Sequence, residues 1–465
     1  MRVMLLATTL CLAISPLLAQ KTASFQFKTY NTEGSSAVSA ALADFDRDGY
    51  PDMAVLTDVS VDVFFNDHKG GFGAYTSYPV SSNSAVIAVD LNGDGWPDLL
   101  ISGGNNTALI NNGDGTFHLG TPPTTKAGAT SFVAGDFNND GKVDLAAVEA
   151  NGIEILLNNG DGTFTSGQFL AGGGIAVADF DGDGNLDIIN SSNNNAVIWW
   201  GNGKGTFPTT TQIPAPTSDG FSTFAAADFN NDGRMDFAAS SSHYNGCTNP
   251  ENVCGDTRAH IYKNEGARVF KIISSYTVGV DLGETLYAAD ITGDLNYDII
   301  SLYSAAGVQS GDISDRPGNG NETFGANQDI DGDSAFELDF RDLDLDSRTD
   351  MVAPVYFPSP FVIVAKQTGG YKTCPGVTSA SLHAKICAPA NNANVSTSVL
   401  VTAGGNSPIG VTRLEVWIDG KKVYQKLGDQ MNKKFTLTTG RHRLVVVAVD
   451  KQVGTSSTVE YVNVQ

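Results

Sequence analysis

The stretch from Asp179 to Asp187, Asp-Phe-Asp-Gly-Asp-Gly-Asn-Leu-Asp, decides the fold because it recurs along the chain. Close copies begin at Asp44, Asp90, Asp136 and Asp228, and looser copies begin at Asp290 and Asp342. The seven starts are separated by 46, 46, 43, 49, 62 and 52 residues, which is the length of one four-stranded propeller blade. We number these nine-residue segments loop one to loop seven in chain order.

Strands are predicted on both sides of each loop. Residues 174–178 precede loop four, residues 99–101 follow loop two, and a third apolar run at 153–157 ends in the turn 158–164. Short Val, Ile and Ala runs bounded by Gly, Asn and Asp are typical of strands joined by tight turns. Seven such units must stack or close into a ring, and four strands per unit favour a ring over a solenoid. We therefore predict an all-β, seven-bladed β-propeller over residues 20–373, closed by residues 24–29.

The loop spacing predicts calcium. Side-chain oxygens at positions 1, 3, 5 and 9 and a backbone carbonyl at position 7 supply the six to eight oxygens that calcium takes. Asp, Asn and Gly also form ordinary turns, but several carboxylates held this close are unfavourable without a cation between them. The predicted ligands are Asp44, Asp46, Asp48, Tyr50 and Asp52 in loop one; Asp90, Asn92, Asp94, Trp96 and Asp98 in loop two; Asp136, Asn138, Asp140, Lys142 and Asp144 in loop three; Asp179, Asp181, Asp183, Asn185 and Asp187 in loop four; Asp228, Asn230, Asp232, Arg234 and Asp236 in loop five; Asp290, Thr292, Asp294, Asn296 and Asp298 in loop six; and Asp342, Asp344, Asp346, Arg348 and Asp350 in loop seven.

Loops six and seven depart from the pattern. Thr292 replaces Asp or Asn at position 3 of loop six, and Leu295 and Ser347 replace the glycine at position 6. The sequence therefore predicts five to seven calcium sites and leaves these two loops open. Because each site is filled by its own loop, the metal is expected to stabilise a blade rather than to catalyse a reaction.

Loops and turns together resemble the FG-GAP/VCBS repeats of the integrin α-subunit propeller and of many secreted bacterial proteins. The resemblance covers about residues 24–372 and implies the propeller fold. It implies less about function, because one fold hosts many functions. Integrin-like propellers recognise partners by the face that lies away from the calcium loops.

Antiparallel strands place the calcium loops and the Gly-Thr-Phe turns on one face, and the connections after the second strand on the other. Two such connections are long, 240–258 in unit five and 304–322 in unit six. His243, Tyr244 and Asn245 in the first are predicted to bind a glycan or a protein. The alternative is that both segments are tolerated surface insertions.

The N-terminus predicts export. Arg2, an apolar stretch at 3–14 and Ala19 have the layout of a signal peptide over residues 1–19, and the apolar run is shorter than a membrane span. The chain is therefore expected in the extracellular space, in the periplasm or at the cell surface, without a membrane span. Cys11 is removed with this segment, which leaves four cysteines. An even number of cysteines in an exported chain favours disulfides. The predicted pairs are Cys247 with Cys254 and Cys374 with Cys387.

Residues 374–465 alternate apolar and polar positions, as at 414–421 and 443–449. This period predicts a small β-sandwich, which resembles bacterial immunoglobulin-like domains. Residues 378–465 hold ten Lys/Arg and five Asp/Glu, whereas the whole chain has a net charge of −23. The overall charge argues against nucleic acid as a partner. The basic segment either docks on the acidic propeller or meets an anionic surface, although ordinary surface charge explains it equally well.

The sequence contains no motif that indicates catalysis. The six histidines are scattered, and neither a nucleophile motif nor a phosphate-binding loop occurs. We therefore expect a secreted calcium-binding recognition or adhesion protein. Two alternatives stay open: a carbohydrate-active lyase or hydrolase, which two unassigned carboxylates in one groove would favour, and a structural spacer of the cell envelope.

Overall fold

The structure is a computed structural model that describes residues 23–81, 84–216, 220–244, 255–279, 284–294, 296–304, 311–330, 335, 337–344, 348–355, 361–368, 383–389, 393–395, 397–406, 411–427, 430–450 and 455–465. Every regular element in these ranges is a β-strand. The described residues contain no helix long and apolar enough to cross a lipid bilayer.

Seven four-stranded antiparallel sheets form the blades. Their strands are β1 (Phe25–Asn31), β2 (Ala37–Ala43), β3 (Asp52–Thr57), β4 (Ser60–Asn66), β5 (Phe72–Pro79), β6 (Val86–Val89), β7 (Asp98–Ile101), β8 (Thr107–Asn111), β9 (Phe117–Gly120), β10 (Ala129–Gly135), β11 (Asp144–Glu149), β12 (Gly152–Asn158), β13 (Phe164–Ala171), β14 (Gly173–Ala178), β15 (Asp187–Ser192), β16 (Asn195–Trp200), β17 (Thr209–Pro214), β18 (Phe224–Ala227), β19 (Asp236–Tyr244), β20 (Gly255–Gly266), β21 (Val269–Gly279), β22 (Glu284–Ala289), β23 (Asp298–Ser304), β24 (Gly311–Arg316), β25 (Gln328–Ile330), β26 (Asp339–Arg341), β27 (Asp350–Val355) and β28 (Phe361–Gln367).

Blades one to six use four consecutive strands each, from β2–β5 to β22–β25, and blade seven has the order β1-β28-β27-β26. Strand β1 pairs antiparallel with β28, from Phe25 opposite Gln367 to Asn31 opposite Phe361. The prediction that the N-terminal strand completes the last blade is therefore confirmed. The first strand of each blade lies innermost, where β2 contacts both β6 and β26, so the ring closes between blades seven and one.

The second residue of every loop anchors that loop in the core. Phe45 is fully buried, and its ring packs edge-on against Phe117 of blade two with centroids 5.6 Å apart. Phe137 packs against Phe207 in the same way, at 5.9 Å. Removing one such ring costs about 3–5 kcal/mol. The apolar side chain at position 2 therefore anchors each loop at the interface between neighbouring blades.

One predicted boundary is wrong. The segment 304–322 does not form a single long insertion, because it contains the third strand of blade six, β24. The backbone N–H of Asn319 donates to the Thr323 carbonyl, as Asn159 does to Thr163 in blade three, so the usual turn before the fourth strand follows. The sequence did not predict this strand, because polar residues replace the apolar run that marks the third strand in other blades: Asp312, Ser314, Asp315 and Arg316.

The C-terminal part is a β-sandwich, as predicted. It contains β29 (His383–Ala388), β30 (Ala393–Val395), β31 (Ser398–Asn406), β32 (Val411–Ile418), β33 (Lys421–Leu427), β34 (Gln430–Thr436), β35 (Gly440–Asp450) and β36 (Thr455–Val464). The sheet β29-β31-β34 faces the sheet β30-β36-β35-β32-β33. Alternate residues of both sheets, such as Val401, Leu414 and Val446, fill the core between them.

Candidate metal centres

Each loop connects the first and second strands of its blade, and the aspartate at position 9 begins the second strand. Asp52 in loop one has no exposed surface. Its Oδ2 accepts the backbone N–H of Phe45 at 2.8 Å, and its Oδ1 accepts that of Asn66 at 2.9 Å. The same pair of bonds recurs in all seven loops, down to Asp350 with Leu343 and Gln367. This carboxylate therefore joins the loop to the third strand and faces the other acidic positions.

The side chains at positions 1, 3 and 5 shape the loop. In loop four, Asp179 accepts the backbone N–H of Gly184, Asp181 accepts that of Asp183, and Asp183 accepts that of Asn185, at 2.9–3.1 Å. Gly184 has a φ of 89°, a left-handed conformation in which a side chain is strained. The glycine at position 6 is thus required for the turn, and loops one, two, three and five have the same arrangement.

Carboxylates from different positions converge in three loops. One oxygen from each of Asp179, Asp181 and Asp187 lies within 4.8 Å of the others. The oxygens of Asp44, Asp46 and Asp48 in loop one, and of Asp342, Asp344 and Asp350 in loop seven, meet the same criterion. Loops two, three and five carry Asn at position 3, so they contain fewer carboxylates and an amide oxygen in the equivalent place.

The electrostatics of these positions favour a bound cation. Burial, with a smaller contribution from nearby loop carboxylates, raises the pKa of Asp52, Asp187 and Asp236 to about 7. The Oδ1 atom of Asp44 is buried and has no hydrogen-bond partner in the part of the chain that the structure describes. A buried acceptor without a donor is unfavourable, whereas a hard divalent cation satisfies several such oxygens at once. The residues of the regular loops therefore fit calcium.

The backbone N–H of the residue at position 7 donates to the carboxylate at position 5, as Trp96 does to Asp94 at 2.8 Å. The prediction that its carbonyl binds the metal stays a prediction. Asp346, the position-5 ligand predicted for loop seven, lies outside the described residues.

Blade six has an additional buried acidic residue outside its loop, which no sequence motif indicated. Asp315 in β24 is fully buried, and neither of its carboxylate oxygens has a hydrogen-bond partner among the described residues. Strand register places it opposite Ile300, where the other six blades have buried aliphatic residues: Val63, Ala108, Ile155, Ile198, Ile261 and Val364. Burial raises the pKa of Asp315 to about 8, with a further contribution from Asp290. The Thr292 hydroxyl is also buried and has no partner among the residues that the structure describes, so loop six and β24 together contain oxygens that a cation would satisfy.

Loop seven differs in another way. The Nζ atom of Lys426, in the sandwich, lies 2.5 Å from Asp342 Oδ2, and that of Lys366, in β28, lies 2.6 Å from Asp344 Oδ2. No local spacing in the sequence signals either contact, because both depend on how distant strands pack.

The predicted recognition residues lie at the end of an extended hairpin. Strand β19 runs from Asp236 to Tyr244, three residues beyond the equivalent strand β3, and its His243 pairs with Asp256. Three residues of strand span roughly 10 Å, so this hairpin projects from the face opposite the metal loops. Only the backbone of His243 and Tyr244 is described, and Asn245 lies outside the described residues. The same holds for Cys247, Cys254 and Cys374 and for the side chain of Cys387, so both disulfides stay predictions.

Two acidic residues outside the loops lie at the seam between blades seven and one. Glu337 and Asp339 line a cavity of about 250 Å³ together with Arg341 and residues of β2 and β6. Asp339 accepts the backbone N–H of Leu42 at 3.0 Å, and Glu337 bonds the Ser39 side chain. Burial raises the pKa of Glu337 to about 7. Both side chains therefore bridge the ring closure.

Two family models match segments of the chain. The FG-GAP-like repeat family matches residues 44–101, 90–147, 136–190 and 179–239. The bacterial Ig domain family matches residues 383–446. No curated protein is similar to the chain.

Several solved structures are similar at low identity. A lectin of Agrocybe aegerita, described as recognising non-reducing terminal N-acetylglucosamine, is 19% identical with a TM-score of 0.44, covering 66% of this chain and 80% of the lectin. The biofilm matrix protein Bap1 of V. cholerae is 12% identical with a TM-score of 0.33, covering 95% and 70%. AofleA from Arthrobotrys oligospora is 12% identical with a TM-score of 0.34, covering 67% and 95%.

Proposed function

We propose that this chain, which contains FG-GAP-like repeats followed by a bacterial Ig domain, is an exported calcium-binding recognition protein. Calcium stabilises the propeller blades, and the face opposite the metal loops binds an extracellular glycan or protein. No membrane span and no nucleic-acid contact are part of this proposal. The net charge of −23 and the basic sandwich fit a carboxylate-rich propeller that binds cations.

The observation that carries the calcium proposal is the convergence of Asp179, Asp181 and Asp187 around one point, within 4.8 Å. The same positions recur in every loop. Backbone N–H groups already fix each of these side chains, so little ordering is left for metal binding to cause. Preorganised oxygen ligands of this kind suit a hard cation such as calcium.

The recognition proposal is supported by blade five. Its hairpin of β19 and β20 extends past the ring on the face that carries no metal loop. Rigid scaffolds commonly present binding residues on such projections, and His243 and Tyr244 at its end offer flat, partly polar rings suited to sugars or protein partners. Calcium then acts at a distance, by keeping the scaffold rigid.

A glycan array screened with calcium and with chelator tests this function. Capture of a defined glycan should require folded, calcium-loaded protein, and Tyr244→Ala should weaken it by about 1–3 kcal/mol. The matched control is Tyr297→Ala, because Tyr297 is 43% exposed but belongs to metal loop six. Equal binding by wild type and Tyr244→Ala, with a loss in Tyr297→Ala, would place recognition on the metal face instead.

We propose that the chain is not an enzyme. Glu337 and Asp339 are the acidic pair that a hydrolase or lyase would need in one cavity, yet both bond to blade one across the ring closure. A structural role follows from those bonds. Release of reducing sugar from an array-positive glycan, abolished by Glu337→Gln without loss of binding, would contradict this assignment.

A further inference from the structure

Two lysine side chains pair with carboxylates of loop seven at positions that are predicted to bind calcium in the regular loops. Lys426 pairs with Asp342 at position 1, and Lys366 pairs with Asp344 at position 3, at 2.5 and 2.6 Å. The side chains of both lysines are largely enclosed, with 15% and 27% of their surface exposed. Two ammonium groups carry the same formal charge as one calcium ion.

The regular loops do not use their position-1 carboxylate in this way. Among the described ion pairs of loops one to five, basic side chains reach position 5, as Arg234 does to Asp232, or position 3, as Arg268 does to Asp181. Asp179 at position 1 accepts only backbone N–H groups in the contacts that the structure shows. The position-1 carboxylate thus stays directed toward the metal position in loop four, and it is taken by an ammonium group in loop seven.

Lys366 lies beside loop seven because of its position in the third strand of blade seven. Its neighbour Gln367 donates its backbone N–H to Asp350 at 2.8 Å, which places Lys366 directly beside the loop. At the equivalent position, blades one to four have the apolar residues Phe65, Ile110, Leu157 and Trp200. Blade five has Lys263 there, which pairs with Glu322 instead of a loop-five carboxylate. Blade seven thus provides one cation to its own loop from its third strand, a feature that blades one to four lack.

The second cation comes from the sandwich, and a further lysine extends that contact. Lys434 Nζ lies 3.1 Å from Asn231 Oδ1 in loop five and 2.9 Å from Asn296 Oδ1 in loop six. Lys426 and Lys434 lie on β33 and β34. The basic sandwich thus rests on the metal-loop face of blades five to seven, with its ammonium groups on loop oxygens.

We propose that loop seven is a lysine-neutralised site that binds no calcium, and that Lys426 and Lys434 use the oxygens of loops five to seven to anchor the sandwich on the propeller. This inference rests on the proposed calcium function for its first half, while the anchoring half is independent of it. An ammonium group donates three hydrogen bonds and needs no cage of six to eight oxygens. It therefore suits a loop in which Ser347 replaces the glycine of the metal turn.

Native mass spectrometry of the calcium-loaded full chain tests the first half. Asp342→Asn should leave the number of bound calcium ions unchanged, whereas the matched variant Asp179→Asn in loop four should lower it by one. A loss of one ion in Asp342→Asn would overturn the assignment of loop seven. Absence of calcium from wild type would instead refute the proposed function, and the anchor would then be decided by the second experiment.

Small-angle X-ray scattering of the full chain tests the anchor. Lys426→Met with Lys434→Met should increase the radius of gyration and the flexibility of the profile, because the sandwich is released. The control is Lys421→Met with Lys422→Met, two exposed lysines on the same strand, β33, which should leave the profile unchanged. Identical profiles for the two double variants would overturn the anchor. A melting curve of the sandwich transition in each variant verifies that the domain is still folded.

Discussion

Loops one to five and loops six and seven occupy the same place in their blades, but the charged groups that surround their buried carboxylates differ. In loop four, backbone N–H groups orient Asp179 and Asp181 around one point. Loop six instead faces the buried Asp315, and loop seven faces two lysines. The position-9 aspartate keeps its two backbone hydrogen bonds in all seven loops, whereas the charged side chains near positions 1 and 3 change from loop to loop.

The largest expected difference concerns position 9 itself. Asp187→Ala removes a ligand and leaves the backbone N–H groups of Phe180 and Gly201 without their acceptor, so the free energy of unfolding should fall by about 5 kcal/mol or more in calcium. Asp350→Ala in loop seven should lose only the backbone part, about 2–4 kcal/mol. Denaturant unfolding with and without chelator measures both. If the chelator reduces the loss of unfolding free energy by the same amount in both variants, loops four and seven bind the same cation.

Asp315→Val tests the difference within loop six. Without calcium, the substitution should raise the free energy of unfolding by about 1–3 kcal/mol at pH 8, because it removes a buried carboxylate that no donor satisfies. The folded-state pKa is raised to about 8 from 3.8, so the folded protein binds the extra proton between these values. Wild-type stability contributed by this group therefore falls as the pH rises from about 4 to 8.

Unfolding at pH 5 and pH 8 measures that trend, and the advantage of Asp315→Val should be larger at pH 8. The matched control is Val63→Ile in blade one, an aliphatic change at the equivalent buried position, which should show no pH dependence. A constant difference between wild type and Asp315→Val at both pH values would contradict the prediction.

Calcium affinity should depend on pH in the regular loops. Burial raises the pKa of Asp52, Asp187 and Asp236 to about 7, and calcium must displace those protons. The calcium-free protein is destabilised by these groups as the pH rises toward 7, whereas calcium binding strengthens over the same range. Because a carboxyl with a pKa of about 7 is half protonated at pH 7, isothermal titration should show about a fivefold loss of affinity between pH 7 and pH 6, or about 1 kcal/mol, for each such carboxylate. An affinity independent of pH would show that the carboxylates stay ionised.

The smallest effect is expected for an exposed lysine near a regular loop. Lys142 lies 3.6 Å from Asp140 in loop three, and both side chains are more than a third exposed. Lys142→Met should change the free energy of unfolding by less than about 0.5 kcal/mol, whereas Lys366→Met should change it by more, because Lys366 and Asp344 are largely enclosed. Thermal melts of both variants in chelator compare them, and equal shifts would mean that Lys366 contributes no more than a surface charge.

Much of the fold could be predicted because its information is local. Nine residues from Asp179 to Asp187 contain the turn glycine, the side-chain oxygens and the buried Phe180 that together define a loop. Seven copies then implied seven blades, and residues 24–29 were placed correctly in blade seven because an unpaired strand preceded the first repeat. The third strand of blade six was missed, since polar residues there replace the apolar run on which the prediction relied.

The repeat, the candidate ligand positions and the two-part architecture can be predicted from the sequence alone, because turn chemistry and strand alternation act between residues close together in the chain. Only the tertiary structure decided which charges meet. Asp315 reaches the core of blade six through strand register, and Lys426 reaches Asp342 across 84 residues of chain. A buried charge is stabilised by any opposite charge that packing places within a few ångströms. The spacing of residues along the chain does not predict such a contact.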